Sequence, residues 1–508
     1  MIITLALFLF LQTAIVDSRP RRPHIVFILA DELGWHDIGY HGGRVQTPVL
    51  DRLAMQGIKL ENYYVQPMCT PTRSQLMSGR YQIHTGLQHS VIFPDQRLCL
   101  PTDEVTVADK LKEAGYSTHM VGKWHLGHYT EACLPTQRGF DSFFGFYNCA
   151  VDYYTYDKGK YYVFKNKTRL HMRGKDLWRN DREFEAPKYQ GKYQSMVFAE
   201  EAQGVLRNHD PDVPLFLYLA FGAVHIPLQV PKKYEDIYRD VKDDSRRILL
   251  AMATCMDEAI GNITRTLKDT GIWNNTIFIF STDNGAATAF GGSSWPLKGG
   301  KTSLFEGGIR AVGFINSPLF PSRLWGTVNR QLIHVSDWFP TLVRIAGGQL
   351  RGTKPLDGYD QWDTIIQGTP SPRREILINI DPMIPCEGCA QQSPWDHKEF
   401  DVRVHAGIIA GDWKLVTGNP NHNYWVAPPE TPGLKNIYPH EPGKMLWLYN
   451  IASDPNEEND LSEDFPGIVD ALLDRLAQYN ETAVPVMYPD GDPNADPDRR
   501  GGSWGPWV

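Results

Sequence analysis

Three short runs dominate what this chain can fold into. His24-Ile-Val-Phe-Ile-Leu-Ala30, Pro214-Leu-Phe-Leu-Tyr-Leu-Ala220 and Thr276-Ile-Phe-Ile-Phe-Ser281 are apolar at consecutive rather than alternating positions. A strand with that pattern is covered on both faces, as inside a parallel sheet layered between helices. Ser117-Thr-His-Met-Val121 is a shorter candidate of the same kind. Helical spacing lies between them, for example over residues 105–114 and 245–268, so the order of elements predicts an α/β domain. Ligands of such domains gather beyond the carboxyl ends of the strands. Each run here stops at a polar cluster: Asp31-Glu32, His225, Asp283-Asn284, and Lys123 with His125. A single Asp or Asn after a strand is commonly a turn cap, and a lone histidine is commonly structural. One site shared by all four clusters is the economical expectation.

The length, 508 residues, allows two to four domains at about 150 residues each. With 42% hydrophobic residues the chain has ample material for a core, which excludes disordered and fibrous classes. A net charge of −8 argues against a general nucleic-acid binder. Residues 5–11 (LALFLFL) are apolar, but the run is shorter than the ~18 residues that span a bilayer. Residues 1–18 therefore read as a cleaved signal peptide, although the segment before the run has no Lys or Arg. No later stretch suits a membrane span. Asn-x-Ser/Thr sequons at Asn166, Asn262, Asn274 and Asn480 fit glycosylated surface loops, and an oxidising compartment permits disulfides among seven cysteines.

Cys69-Thr-Pro-Thr-Arg73-Ser-Gln-Leu-Met-Ser-Gly79-Arg80 is the most informative segment. Thr70 suits a helix cap, Pro71 the first helical position and Gly79 the stop. Cys69 would then sit at a helix N-terminus, where free N–H groups favour anionic groups. By itself this reads equally as a reactive thiol, an anion site or a structural cysteine.

The segment resembles the signature of the sulfatases, Cys-x-Pro-x-Arg followed by Gly-Arg. The resemblance runs from about Pro23 to the carboxyl terminus. It is narrowest toward the arylsulfatase B (N-acetylgalactosamine 4-sulfatase) branch, through Asn62-Tyr-Tyr-Val-Gln-Pro-Met-Cys69, Tyr81–Gln88, His119–Gly127, Trp273–Gly285 and Trp504-Gly-Pro-Trp507. It implies an alkaline-phosphatase-like α/β sandwich with a large mixed central sheet over residues 23–370, and a smaller C-terminal α+β domain over 371–508. It also implies that Cys69 is oxidised to formylglycine by the formylglycine-generating enzyme. One hydroxyl of the hydrated aldehyde attacks sulfur and the other later expels sulfate.

The resemblance places Arg73 and His125 on that diol, Lys123 and Lys301 on the sulfate, and His225 as general acid for the leaving oxygen. Asp31, Glu32, Asp283 and Asn284, with the residue at 69, would hold one Ca2+; their oxygen donors suit a hard cation. Glu32 departs from the usual Asp-Asp pair, and Ala286 stands where a second glycine is usual. Two-zinc phosphatases of the same fold present Asp-His where this chain has Asp283-Asn284. A non-catalytic binding protein on the scaffold, resting on Glu32, is the third reading. The implied substrate is N-acetylgalactosamine 4-sulfate in glycosaminoglycans, handled in lysosomes or outside the cell. Small aryl sulfates and plant glucosinolates are the alternatives.

Among the remaining features, Lys298 reads as a surface or loop charge. Tyr147, Tyr153, Tyr154, Tyr156, Tyr161 and Tyr162 suit either a sugar-stacking wall or ordinary packing. Cys99–Cys133 is a disulfide implied by the resemblance. Cys386 and Cys389 read as loop cysteines that can bridge, Cys255 as buried, and Cys149 stays open. The terminal Trp504–Val508 is apolar enough to dock.

Overall fold

The computed structural model describes residues 22–163, 169–180, 182–183 and 188–508. The expected signal peptide and Asn166 lie outside the described residues, as do the side chains of Tyr161 and Tyr162.

A ten-stranded mixed sheet forms the centre. Its middle is Thr276–Thr282, His24–Ala30, Leu215–Ala220, Ser117–Lys123 and Ser142–Phe146, all parallel to their neighbours. Gly313–Asn316 and Trp178–Arg179 continue it antiparallel on either side. The consecutive apolar runs are explained by two cores. Val26, Ile28 and Ala30 point into one, under the helices Gln194–Asn208 and Asp244–Asp269. Ile25, Phe27 and Leu29 point into the other, with Val107–Glu113 and Trp338–Ile345. Each fully buried side chain of this size contributes roughly 1.5–3 kcal/mol, so both faces of the central strands are mainly apolar.

The parallel middle brings the carboxyl ends of these five strands to one edge. Gly122 is the tightest point there: it has φ +106°, and a Cβ would sit 1.8 Å from the Ala220 carbonyl oxygen. Gly122→Ala is expected to cost about 3 kcal/mol or more, read as a lower urea midpoint. A midpoint unchanged from the parent would show that the neighbouring strand yields.

A second, four-stranded antiparallel sheet follows: Glu375–Asp381, His405–Ala410, Trp413–Thr417 and Leu446–Asn450. The helix Pro466–Glu481 covers one face through Val469, Leu472, Leu473 and Leu476. The other face, with Ile376, Ile378, Ile409 and Val416, closes on Tyr64, Leu304 and Ile309 of the first unit. Lys414 crosses that seam to Glu306 at 3.0 Å and Glu457 at 2.8 Å, with all three side chains fully buried. The terminal segment docks as expected: Trp504 is buried, and its indole N–H donates to the Lys158 carbonyl at 2.9 Å.

Cys99 and Cys133 are bridged, and so are Cys386 and Cys389; Cys255 is buried and Cys149 is half-buried, both as free thiols. Tyr147, Tyr153 and Tyr156 pack in the two cores rather than facing a ligand. Asn274 and Asn480 are exposed, although Asn480 lies in the last turn of the helix Pro466–Glu481 rather than in a loop. Asn262 corrects the expectation of a loop sequon: it is half-buried within the helix Asp244–Asp269, and its carbonyl oxygen accepts from the Gln203 amide at 3.2 Å.

Candidate active site

Asp31 and Glu32 follow the central strand directly, and Asp283 and Asn284 follow its parallel neighbour, so one register sets both pairs side by side. Cys69 begins the helix Cys69–Ser78, every residue of which is buried. Local capping differs from expectation. Met68 precedes the helix without a side-chain cap, and Pro71 is the third helical residue. The Thr70 hydroxyl instead donates to the His125 carbonyl at 3.1 Å and accepts from the Ile92 N–H at 3.2 Å, fastening the helix start to the loop after Lys123. Gly79 ends the helix in a left-handed conformation, φ +69°.

Around the cysteine the predicted residues converge. Arg73 donates from Nε and Nη2 to one oxygen of Asp283 at 3.0 and 2.8 Å, and from Nη1 to the Lys123 carbonyl at 3.0 Å. Lys123 Nζ lies 2.6 Å from Asp31 Oδ2, and Cys69 Sγ lies 3.5 Å from Asp31 Oδ1. Lys301 Nζ is 3.8 Å from Cys69 Sγ and 3.3 Å from His225 Nε2. His225 Nδ1 meets the Ile226 carbonyl at 2.7 Å, which leaves Nε2 facing the site. His125 Nε2 is 3.2 Å from the Ile92 carbonyl, and its Nδ1 is buried with no partner among the described residues.

Glu32 stands apart from the other acids. Its N–H donates to Asp283 Oδ1 at 3.2 Å, but its carboxylate meets His225 Nε2 at 2.9 Å and contacts Lys301. Donor atoms therefore form two groups sharing Cys69: Asp31 with Asp283, and Glu32 with His225. Beside the first group the Asn284 side-chain oxygen is buried and without a hydrogen-bond partner, as a group reserved for a cation would be. Asp31, Asp283 and Asn284 offer only oxygen donors, a set that suits a hard cation better than zinc.

Burial raises the Asp31 carboxyl, but Lys123, His225, Arg73 and Lys301 together hold it well below the usual carboxylate range. Asp283 is pushed upward by burial and by Asp31. Lys301 is pushed down to about 8 by burial, partly offset by Asp31. Burial, then the charge of Asp283, drives the Cys69 thiol well above its ordinary value. A reactive cysteine needs the opposite shift, so the helix N-terminus does not make this thiol a nucleophile.

Lys298 corrects the reading of a surface charge. It is buried, its ammonium lies 4.3 to 5.2 Å from the ring centres of Phe305, Trp425 and Tyr449, and it donates to the Tyr449 hydroxyl at 2.9 Å. This cage ties the segment bearing Lys301 to the second sheet. Sequence reasoning also missed the cavity beyond Lys301, lined among others by Phe290 and His422. Asn419-Pro-Asn-His-Asn announces a turn and nothing of what the turn faces.

Residues 23–348 match the Sulfatase family. The chain is 49% identical to mouse arylsulfatase J over 97% of its length and 83% of that protein, and 27% identical to human N-acetylgalactosamine-6-sulfatase over 93% and 88%. A crystal structure of Ps i-CgsB in complex with k-i-k-neocarrahexaose shares the fold, with a TM-score of 0.74 at 24% identity over 92% of this chain and 95% of that one. The chain belongs to the sulfatase family and is a sulfuric ester hydrolase.

Proposed function

We propose that the chain hydrolyses sulfate esters of carbohydrates with a formylglycine made from Cys69 and one bound Ca2+. Terminal N-acetylgalactosamine 4-sulfate of glycosaminoglycans is the first-choice substrate. The carrying observation is a buried cysteine beside Asp31 and Lys301, with Lys123 on Asp31 and His225 across Lys301. Oxidised to formylglycine, this position would supply a hydrated aldehyde whose hydroxyl is a nucleophile for sulfur. Asp31, Asp283 and Asn284 would hold the cation, with Glu32 joining them on leaving Lys301; calcium accepts that variability. Calcium, when bound, would withdraw charge from a sulfate oxygen and from the nucleophile.

The chain's own groups do the rest. Lys301, beside residue 69, and Lys123, on the neighbouring Asp31, bring two ammonium groups to neutralise the sulfate. Arg73 keeps Asp283 in place, and the unpartnered Nδ1 of His125 is the atom available to hold and deprotonate the diol. His225, oriented through Nδ1, delivers a proton from Nε2 to the departing alcohol. His225→Ala is accordingly expected to lower kcat about 10²-fold or more on a sugar sulfate and far less on an aryl sulfate whose leaving group needs no proton. Equal losses on both would remove His225 from the proton-transfer role.

The named relatives support a sulfated hexosamine. The cavity's Ile226, Ala287, Ala289 and Phe290 favour, as a second reading, a compact aryl or glucoside sulfate such as a glucosinolate. Maturation in the secretory pathway, ending in the lysosome or outside the cell, is supported by the two disulfides and by exposed Asn274 and Asn480. Among the described residues no helix is long and apolar enough to cross a membrane. Sulfate release from a 4-sulfated hexosamine, an aryl sulfate and a glucosinolate tests the proposal, with and without chelator and added calcium. Calcium-independent turnover, or none on any ester despite confirmed formylglycine, would refute it.

A further inference from the structure

Beyond Lys301 the site opens into a cavity of about 240 Å³. That is below the roughly 300 Å³ at which pockets for drug-sized ligands begin, so it takes a single ring. Its floor is catalytic: Glu32, His225 and Lys301. Its rim is not. Phe290, 45% exposed, offers an aromatic face on one side, and His422 from the second unit stands among the lining residues.

The segment carrying His422 is held in an unusual shape. Asn421 and His422 both have left-handed backbone, φ +56° and +48°, a conformation that consecutive non-glycine residues rarely adopt. It is fastened on both sides of Lys301: the Gly299 N–H donates to the Tyr424 carbonyl at 2.8 Å, the Leu304 N–H to the Pro420 carbonyl at 3.1 Å, and the Asn421 amide to the Thr302 carbonyl at 3.3 Å. The Tyr424 hydroxyl engages His422 Nδ1. Nε2 is then the ring nitrogen left for a ligand, and burial lowers the ring's pKa.

We propose that His422 is a specificity-determining residue that hydrogen-bonds, through Nε2, a polar substituent of the one sugar ring bearing the sulfate, while Phe290 packs against that ring's C–H face. An aromatic ring and an imidazole with one free nitrogen, lining the same cavity, suit an uncharged pyranose. Beyond Lys301 the described lining contains no Arg or Lys, so the ring is not selected by additional negative charge. This inference rests on the sulfate-ester reading above.

The test uses the full-length, formylglycine-bearing enzyme with N-acetylgalactosamine 4-sulfate and an aryl sulfate in parallel. His422→Asn keeps a residue at home in left-handed backbone but too short to reach. It is expected to raise KM for the sugar sulfate about ten-fold, the scale of one hydrogen bond, and to leave aryl sulfate turnover within two-fold. His422→Gln, which regains reach, is expected to recover much of the difference. Equal losses on both esters would mean that the segment only positions Lys301 and would overturn the proposal. No change on either ester, or a parent enzyme that accepts the aryl sulfate and no sugar sulfate, would overturn it too. A parent inactive on both esters would instead defeat the sulfate-ester reading, and this inference with it.

Discussion

Cys69→Ala should fold as the parent does and lose at least about 10⁴-fold in kcat/KM on every sulfate ester. The structural side follows from how little the thiol holds. Its contacts are one to Asp31 at 3.5 Å and one to Lys301 at 3.8 Å, and alanine is a good first residue for a helix. The catalytic side follows from the proposed role of residue 69, for which an alanine methyl offers no nucleophilic atom. Cys69→Ser separates the two hydroxyls of the proposed diol: it keeps one oxygen to attack sulfur and lacks the second that would expel sulfate. It is expected to release about one equivalent of alcohol per enzyme and then stall. Mass spectrometry of the parent peptide should show an aldehyde or its hydrate in place of the thiol. An alanine variant with turnover near the parent's would end the nucleophile assignment.

Arg73→Ala is expected to be the most destabilising change at the site, by about 3–5 kcal/mol. The guanidinium is fully buried and makes three hydrogen bonds, two to Asp283 and one to the Lys123 carbonyl. Removing it leaves the Asp283 carboxylate beside Asp31 in a dry interior, with Lys123 already committed to Asp31. The penalty should be measurable as a lower urea midpoint in the presence of a chelator. Because a cation between Asp31 and Asp283 would replace part of the lost positive charge, added calcium is expected to restore the variant more than it stabilises the parent. A calcium effect no larger than in the parent would place the metal elsewhere.

What could be read from the sequence was whatever is decided locally. Consecutive apolar residues in His24–Ala30 and Thr276–Thr282 mark strands covered twice, and the polar pairs behind them share an edge because the strands are parallel. The helix stop at Gly79 is equally local, since only the left-handed residue ends that turn cheaply. The helix start is not: Thr70 spends its hydroxyl on His125 and Ile92, partners that only the tertiary fold supplies. Lys298 shows the same limit more strongly. Pro-Leu-Lys-Gly-Gly-Lys looks like a charged loop, and the rings that bury its first lysine include Trp425 and Tyr449, more than a hundred residues downstream. Glu32 was legible as a ligand candidate by position, while the turn of its carboxylate toward His225 and Lys301 depends on groups from two other segments.

The buried seam between the two sheets has a consequence for modularity. The second sheet looks like an accessory that could be trimmed, yet it brings Lys414 to neutralise Glu306 and Glu457, and two of the three rings around Lys298. Cutting the chain after the first unit would therefore strip Glu306 of its Lys414 partner, expose the apolar seam and release the segment bearing Lys301. Homologous exchange of the second sheet between relatives, rather than its deletion, is the manipulation that the architecture permits.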